Sequence, residues 1–386
     1  MNKNPRSLAE AALCGLFLTI HGAPAQDWLP TCAPNAGWQA VASSADGAKL
    51  AAAAYNTAIY TSTNSGADWT ATSAPSANWY SVASSADGSK LLAGGFSLLC
   101  TSTNSGATWT TNNSPSGPTF VACSGEGARM AAADASGHLY TSTNSGATWR
   151  TNLGLGAGNF VYSLASSADG VKLVAGADWF YTSTNAGATW TARWPGSASG
   201  DNYCAVATSS ADGTRLLAAH EFLYTSTNSG AAWTTTGAPS AGWASVACST
   251  DGTRLVAVIH GGGIYTSINS GVTWTSNTAP RTAWFSVASS ADGSKLIATD
   301  AGPGISGGGI YTWQAAPVLG IALCGTNLVL SWPALSATAG FAPQQNSNLA
   351  TTDWLPVKAT VMATNGQNQA TLPLPADNTF YCLRKL

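Results

Sequence analysis

Residues 101–109 read Thr-Ser-Thr-Asn-Ser-Gly-Ala-Thr-Trp. The string Ser-[Thr/Ile]-Asn-x-Gly-x-x-Trp within this stretch occurs six times, ending at Trp69, Trp109, Trp149, Trp190, Trp233 and Trp274. Successive tryptophans are 40, 40, 41, 43 and 41 residues apart. A second string, acid-Gly-x-[Lys/Arg]-[Leu/Met], occurs seven times, at Asp46, Asp87, Glu126, Asp169, Asp212, Asp251 and Asp292. Self-similarity at a fixed period marks a repeat architecture. Short β-branched and aromatic runs between glycine-rich turns, at this period, predict a propeller with four strands per blade.

The second repeat shows how a blade is built. Trp79 to Ser84 reads as the innermost strand. Asp87-Gly88 is a hairpin turn, because Asp-Gly tolerates the positive φ that such a turn demands. Lys90 to Ala93 and Leu98 to Thr103 are the next two strands, Asn104-Ser-Gly106 turns the chain, and Trp109 marks the outer strand. Seven acid-Gly turns meet six boxes, so one outer strand is missing. The stretch Asp27-Trp28 to Trp38 matches Asp68-Trp69 to Trp79, with ten residues from Trp to Trp in both. Residues 27–33 are therefore expected to supply the outer strand of blade seven, closing the ring by pairing its two ends. The expected fold is all-β: a seven-bladed β-propeller of four-stranded blades, closed by an N-terminal strand, over residues 26–314, followed by a small β-sandwich over 315–386.

The six boxes resemble the Asp-box, or BNR, repeat Ser-x-Asp-x-Gly-x-Thr-Trp. That repeat occurs in sialidases, bacterial xyloglucanases, sortilin-type receptors and photosystem assembly-factor propellers. The chain departs from it consistently: Asn64, Asn104, Asn144, Asn185, Asn228 and Asn269 replace the family aspartate. An asparagine still accepts backbone N–H bonds in such a turn, but it is a weaker calcium ligand. The boxes are thus read as turn locks. In the C-terminal stretch, GTNLVLSWP (325–333) and QQNSNLATTDW (344–354) resemble short immunoglobulin- or fibronectin-III-like modules of secreted bacterial proteins.

The N-terminus carries Lys3 and Arg6, an apolar run from Ala11 to Ile20 and an Ala23-Pro24-Ala25 site. This is the pattern of a secretory signal peptide over residues 1–25, and the run is too short to span a bilayer. A secreted protein, extracellular or periplasmic, is expected. Only 8% of residues are charged and the net charge is −2, which excludes the clustered Lys/Arg surface that nucleic acids require. The seven cysteines after Cys14 show no C-x-x-C spacing. Most read as buried small residues, and Cys324 and Cys382 are the pair that a secreted small domain could bridge.

Setting the repeat residues aside leaves Asp134, Asp178, Asp201, Glu221, Asp300, Arg150, Arg193, Arg281, His138, His220 and His260 within the ring. Nearly all fall in loops between second and third strands or between blades. Strand alternation puts both loop classes on one face, opposite the acid-Gly turns and boxes. Variable polar loops on a rigid scaffold are where binding usually sits. An aromatic also stands near the start of each inner strand: Trp38, Trp79, Phe120, Phe160, Tyr203, Trp243 and Trp284. These read as wedges between blades or as stacking surfaces at the channel mouth.

Blades 4 and 5 hold the densest off-repeat set: Asp178, Trp179, Arg193, Trp194, Asp201, Tyr203, His220 and Glu221. A tryptophan on a loop near carboxylates suits a sugar ring, stacking on its apolar face while the acids accept hydroxyl hydrogens. A sialidase needs three converging arginines, and Arg150, directly after a box tryptophan, falls towards the wrong face. A glycosidase needs a carboxyl pair roughly 5–10 Å apart, which Asp178, Asp201 and Glu221 could supply, though no motif supports it. No zinc spacing surrounds His220, and no cofactor is expected. The sequence points to a non-catalytic binding or adhesion protein whose partner is an extracellular glycan or protein. The alternative is a glycoside hydrolase or sialidase-like enzyme acting on extracellular polysaccharide.

Overall fold

A computed structural model of the chain describes residues 28–112, 117–134, 136–152, 154–155, 160–193, 206–302, 307–314, 319–333, 341–348, 351, 353–364, 367–375, 377 and 379–385. All regular elements among these residues are strands. The chain divides into two compact units, Asp27–Gln314 and one that holds Ala315–Leu386. The signal peptide expected over residues 1–25 lies outside the described residues.

The first unit is a seven-bladed propeller. Blades 1 to 5 are separate four-stranded antiparallel sheets whose strands follow chain order. Blade 2 sets the pattern with Trp79–Ser84, Leu91–Gly95, Leu98–Ser102 and Thr110–Asn112. Blades 6 and 7 share one sheet. The second strand of blade 6, Leu255–Gly262, runs on and pairs with the inner strand of blade 7, Thr282–Ser289, placing His260 opposite Ala283 and Gly262 opposite Thr282. The outer strand of blade 7 comes from the start of the unit: Leu29 pairs with Thr312 and Pro30 with Tyr311. Trp28 is buried beside it, its ring centroid 6.3 Å from that of Trp284. The ring closes by strand pairing, as the Trp28–Trp38 match predicts.

The acid-Gly turn locks the blades together in two ways. The residue before each acid donates its backbone N–H to the carbonyl of the matching residue in the next blade. The donors run from Ala45 to Ala86, Gly125, Ala168, Ala211, Thr250 and Ala291, which donates back to Ala45, all at 2.7–2.8 Å. Every residue in this closed circle donates its N–H to one neighbour and accepts at its carbonyl from the other, so no polar backbone group of the belt is left unpaired.

The second lock is the basic residue three places after the acid. Each turn glycine adopts positive φ, +66° at Gly47 and +71° at Gly170. A Cβ there would strike the basic side chain of the preceding blade, Lys295 Cδ at 2.7 Å for Gly47 and Arg129 Cβ at 2.6 Å for Gly170. The stem lies on the glycine and the head reaches over it: Lys295 Nζ donates to Asp46 O and Lys172 Nζ to Asp212 O, both at 2.9 Å. The repeat's Lys/Arg is thus a clip with a covered stem and a wet head. Inside the turn the acid is a cap. Asp46 Oδ1 accepts the Ser44 hydroxyl at 2.6 Å and the Ala48 N–H at 2.9 Å.

The boxes are turns as well. Asn104 Oδ1 accepts the Thr108 N–H at 2.9 Å, and Asn104 Nδ2 donates to Thr108 Oγ1 at 2.8 Å. Asn144, Asn185 and Asn269 repeat both bonds with Thr148, Thr189 and Thr273. The amide supplies acceptor and donor together, so the turn is satisfied without a charge.

The core lies between blades. Second strands are small and apolar, such as Leu50–Ala54, because both of their faces are covered. Trp79 packs on Ala51, Ala53 and Ile59 of blade 1, and Trp38 on Ile297 and Ile310 of blade 7. Trp243 and Trp284 are buried in the same way against blades 5 and 6. These four are wedges rather than a stacking ring at the mouth. The other aromatics of the expected row do not share their register. Eight residues before the acid, where those four tryptophans stand, blades 3, 4 and 5 hold Pro118, Val161 and Cys204. Val161 fills the wedge site against Ala133 and Leu139, which leaves its neighbour Phe160 50% exposed. Phe120 packs on the same cluster from a position two residues further along. Tyr203 and Cys204 lie outside the described residues.

The second unit pairs a four-stranded sheet (Gly320–Cys324, Asn327–Pro333, Gln367–Pro373, Val361–Thr364) with a three-stranded one (Leu355–Pro356, Phe341–Asn346, Phe380–Lys385). Leu328, Leu330, Trp332, Ala370 and Leu372 form its core, with Tyr381 and Val357 packed against them. Cys324 is an exposed free thiol. The bridge that Cys324 and Cys382 could form is not made: Cys324 ends its strand next to the Gly325 turn, and Cys382 lies in the other sheet.

Candidate functional site

Antiparallel alternation puts the acid-Gly turns and boxes at one end of every blade, and the loops after second and fourth strands at the other. On this loop face the connections between blades fall into two groups. From box-position tryptophan to next acid is 18 residues in Trp28–Asp46, Trp69–Asp87, Trp233–Asp251 and Trp274–Asp292. Three of these connections are pinned to the adjoining loop by backbone bonds, Ala36 to Gly308, Ala77 to Thr57 and Ala241 to Glu221. The other three connections differ in length: 17 residues in Trp109–Glu126, 20 in Trp149–Asp169 and 22 in Trp190–Asp212. These three lead into blades 3, 4 and 5.

Blade 3 carries a network that the sequence reading left as scattered residues. Asp134 Oδ1 accepts the N–H groups of Ser136 and His138, both at 2.9 Å. Its Oδ2 meets His138 Nδ1 at 2.8 Å and accepts the Tyr140 hydroxyl at 3.0 Å. Burial pushes the Asp134 carboxyl up, but the bonds from His138, Tyr140 and Ser136 outweigh it and hold it below the usual range. Tyr140 is pushed up to about 12, by burial first and then by Asp134. The spacing Asp-x-x-x-His-x-Tyr was the available signal.

The connection from blade 3 to blade 4 passes this loop, with the Leu155 N–H donating to Gly137 O at 3.1 Å. Leu155, Val161 and Tyr181 pack in one cluster with Leu139. Burial, then the charge of Asp178, raises the Tyr181 phenol, so Asp178 stands within electrostatic reach of this seam. Trp179 follows Asp178 in a tight turn closed by Ala177 N–H to Trp179 O at 2.9 Å. Trp179 is 47% exposed, the one exposed tryptophan among the described residues. Phe160, Asp178 and Trp179 therefore stand on the blade 4 side of the seam with blade 3, whereas Tyr140, which is bonded to Asp134, packs in the seam between blades 2 and 3 with Leu92, Leu99 and Val121.

The remaining expected residues separate. Arg193 is turned along its own blade, its Nε donating to Thr182 Oγ1 at 3.5 Å. Glu221 accepts the Ser240 hydroxyl at 3.0 Å and so engages the connection into blade 6. Asp178 acts on Tyr181 and Glu221 engages Ser240, so the two acids have different neighbours. His220 closes the blade 5 turn, its N–H donating to Phe222 O at 3.1 Å. Trp194, Asp201 and Tyr203 lie outside the described residues. Asp300 is structural, buried and accepting Thr282 Oγ1 at 2.7 Å and the Gly302 N–H at 2.8 Å. Two small crevices lie on the other face, beneath the basic clips. The one beside Arg215 and Gly252 measures about 20 Å³, and the one beside Lys49 and Gly88 about 10 Å³.

Fold and face together define a β-propeller that presents variable loops at one end. No protein-family model matches the sequence, and no curated protein matches it. Solved structures do. YCF48 from Cyanidioschyzon merolae is similar with a TM-score of 0.57 at 14% identity, over 75% of this chain and 98% of that one. YCF48 bound to D1 peptide gives 0.56 at 15%, over 76% and 100%. The GH74 enzyme of Niastella koreensis gives 0.58 at 15%, over 79% of this chain and 59% of the enzyme. At these identities the likeness establishes the propeller fold. No helix among the described residues is long and apolar enough to cross a membrane.

Proposed function

We propose that the chain is a secreted, non-catalytic binding or adhesion protein that holds an extracellular glycan or protein on the loop face of blades 4 and 5. The observation that carries this reading is Trp179. Its side chain stands half in solvent on a rigid blade while the repeat's tryptophans are buried or half-buried, and exposed aromatics beside polar loops are common anchors of recognition. Asp178, Arg193, Trp194, Asp201, Tyr203, His220 and Glu221 complete the proposed region. The test is a glycan array run beside a pull-down from conditioned medium, followed by binding of the best hit to Trp179→Ala and Trp194→Ala. Both variants should bind at least about tenfold more weakly, a loss of about 1.4 kcal/mol. Wild-type binding by both, with loss in a blade 1 or 2 variant, rejects the site. Secretion is checked by N-terminal sequencing of the exported protein, which should begin at Gln26.

A further inference from the structure

We infer that the mouth of the ring on the loop face, over blades 6, 7, 1 and 2, takes a neutral saccharide chain at a second site, distinct from the one proposed on blades 4 and 5. The first strand of each blade is the innermost, and it starts at the loop end. The pairing slips by one residue directly after each wedge tryptophan. Trp38, Trp79, Trp243 and Trp284 are followed by the bulged residues Gln39, Tyr80, Ala244 and Phe285. A bulge re-aims the side chain of its extra residue. Tyr80 meets Tyr55 of blade 1 with ring centroids 6.0 Å apart, and Phe285 meets His260 of blade 6 at 5.3 Å, both edge-to-face. Tyr55 and His260 hold one repeat position, nine residues after Asp46 and Asp251. Two aromatic pairs therefore stand at the mouth, with Gln39 on the blade between Phe285 and Tyr80.

Backbone bonds hold both pairs in place. The Tyr55 N–H donates to Gly37 O at 2.9 Å, and Asn56, at φ +55°, donates its N–H to Asn78 Oδ1 at 3.3 Å. The His260 N–H donates to Gly242 O at 3.2 Å, and His260 lies opposite Ala283 in the pairing that joins blades 6 and 7. An edge-to-face pair covers one face of one ring, and Tyr55, Tyr80 and Phe285 are all partly exposed. Burial, then the Tyr55 hydroxyl, raises the Tyr80 phenol, which stays a neutral donor.

What stands beside an aromatic face sorts its occupants. A cationic ligand is selected by acids of complementary charge. Segments 31–37, 55–58, 71–78 and 94–97, which form the loops of blades 1 and 2 and the connections into them, hold no Asp, Glu, Lys, Arg or His. On blade 7 the Asp300 carboxylate is spent on Thr282 and Gly302. An added peptide strand needs open main-chain groups, whereas the N–H groups of Tyr55, Asn56, Ala77 and Phe96 are already donated within these loops. The groups on offer are amide and phenol side chains. Gln39 places its amide nitrogen 3.4 Å from Gly37 O, and among the described residues no donor reaches its Oε1. An amide both donates and accepts, as a sugar hydroxyl does. Rings on either side of it match the apolar faces and hydroxyl edges that alternate along a saccharide.

The probes are cello-, manno- and chito-hexaose, the acidic oligomer hexagalacturonate, and acetylated, amidated decaproline, each titrated against the full chain. At least one neutral hexaose should bind, and added salt should leave that complex unchanged. Tyr80→Ala and Phe285→Ala should each weaken it at least about fivefold. Gln39→Leu, which removes no ring, should weaken it about threefold or more. Trp179→Ala should leave it unchanged. Binding of no neutral hexaose, binding of hexagalacturonate or decaproline alone, or sugar binding indifferent to Gln39→Leu and both ring variants overturns the inference. A hexaose lost in Trp179→Ala but kept in Tyr80→Ala and Phe285→Ala belongs to blades 4 and 5, which overturns this site while the reading of those blades stands.

Discussion

In blades 6, 7, 1 and 2 a tryptophan eight residues before the acid wedges against the preceding blade, and every connection leading to it has one length. In blades 3, 4 and 5 that position holds Pro118, Val161 and Cys204, and the connections have three lengths. Yet both arcs share one unbroken belt of backbone bonds from Ala45 round to Ala291. The belt and basic clips sit at the turn end, and the differences sit at the loop end. A ring whose closure is secured at one end is free to vary at the other, where extra loop length costs little free energy.

The sharpest way to break this division is at the seam of the regular arc. Trp28→Ala removes a buried ring that packs on Trp284 beside the closing strand. Loss of a buried tryptophan costs about 3–5 kcal/mol, and denaturant unfolding should show it as one cooperative transition shifted to lower midpoint. An unchanged midpoint would mean that the first strand does not close the ring.

The next test asks whether the belt is truly common to both arcs. Gly47→Ala and Gly170→Ala place a Cβ at positive φ, worth about 1–2 kcal/mol for a non-glycine residue, and each also displaces the basic stem lying on it. The two losses should agree although Gly47 belongs to the regular arc and Gly170 to the variable one. A neutral Gly170→Ala beside a costly Gly47→Ala would show that the clips differ between arcs.

A smaller effect comes from the turn acids, again in both arcs. Hydroxyl bonds, first from Ser210 and Ser249 and then from the neighbouring Thr214 and Thr253 groups, hold Asp212 and Asp251 at about 2, below the ordinary 3.8. Their stabilising contribution is complete above about pH 4, the unfolded value, and is lost as pH falls through about 2. The melting temperature should therefore fall between pH 5 and pH 2, and Asp251→Asn should flatten part of that fall. These carboxylates are largely exposed, so the change is modest. A melting temperature that rises on acidification contradicts the capping role.

What could be read from the sequence follows the same division. The boxes, the acid-Gly turns and the Trp28–Trp38 match are local chemistry repeated, and repetition makes local chemistry visible. The belt was not legible, because a backbone bond between blades leaves no residue signature. The Lys/Arg clip was visible as a repeated position, but its contact lies on the glycine of another blade. Phe160 was placed with the wedge tryptophans because aromatic character was followed; counting back from Asp169 puts Val161 there instead. The joining of blades 6 and 7 through His260 and Gly262 depends on tertiary pairing that a strand pattern alone does not encode. Trp179 is legible by its lack of a repeat role, whereas the bonds of Asp134 with His138 and Tyr140 are not, because that loop occurs once and repetition does not reveal it.

The smallest expected effect on stability is also the one that separates the arcs most cleanly. Trp79 and Trp179 are both tryptophans at the loop end of a blade. Trp79 is fully buried against blade 1 and its truncation should cost about 3–5 kcal/mol. Trp179 is 47% exposed, and truncations away from the core usually stay within about 0.5 kcal/mol. Thermal and denaturant unfolding of Trp79→Ala and Trp179→Ala should therefore differ by several-fold in lost stability. The turn at Trp179 is closed by a backbone bond from Ala177, which the alanine variant keeps. A Trp179→Ala loss as large as that of Trp79→Ala would make Trp179 a fifth wedge, extend the regular arc through blade 4 and leave the seam between blades 3 and 4 without its aromatic anchor.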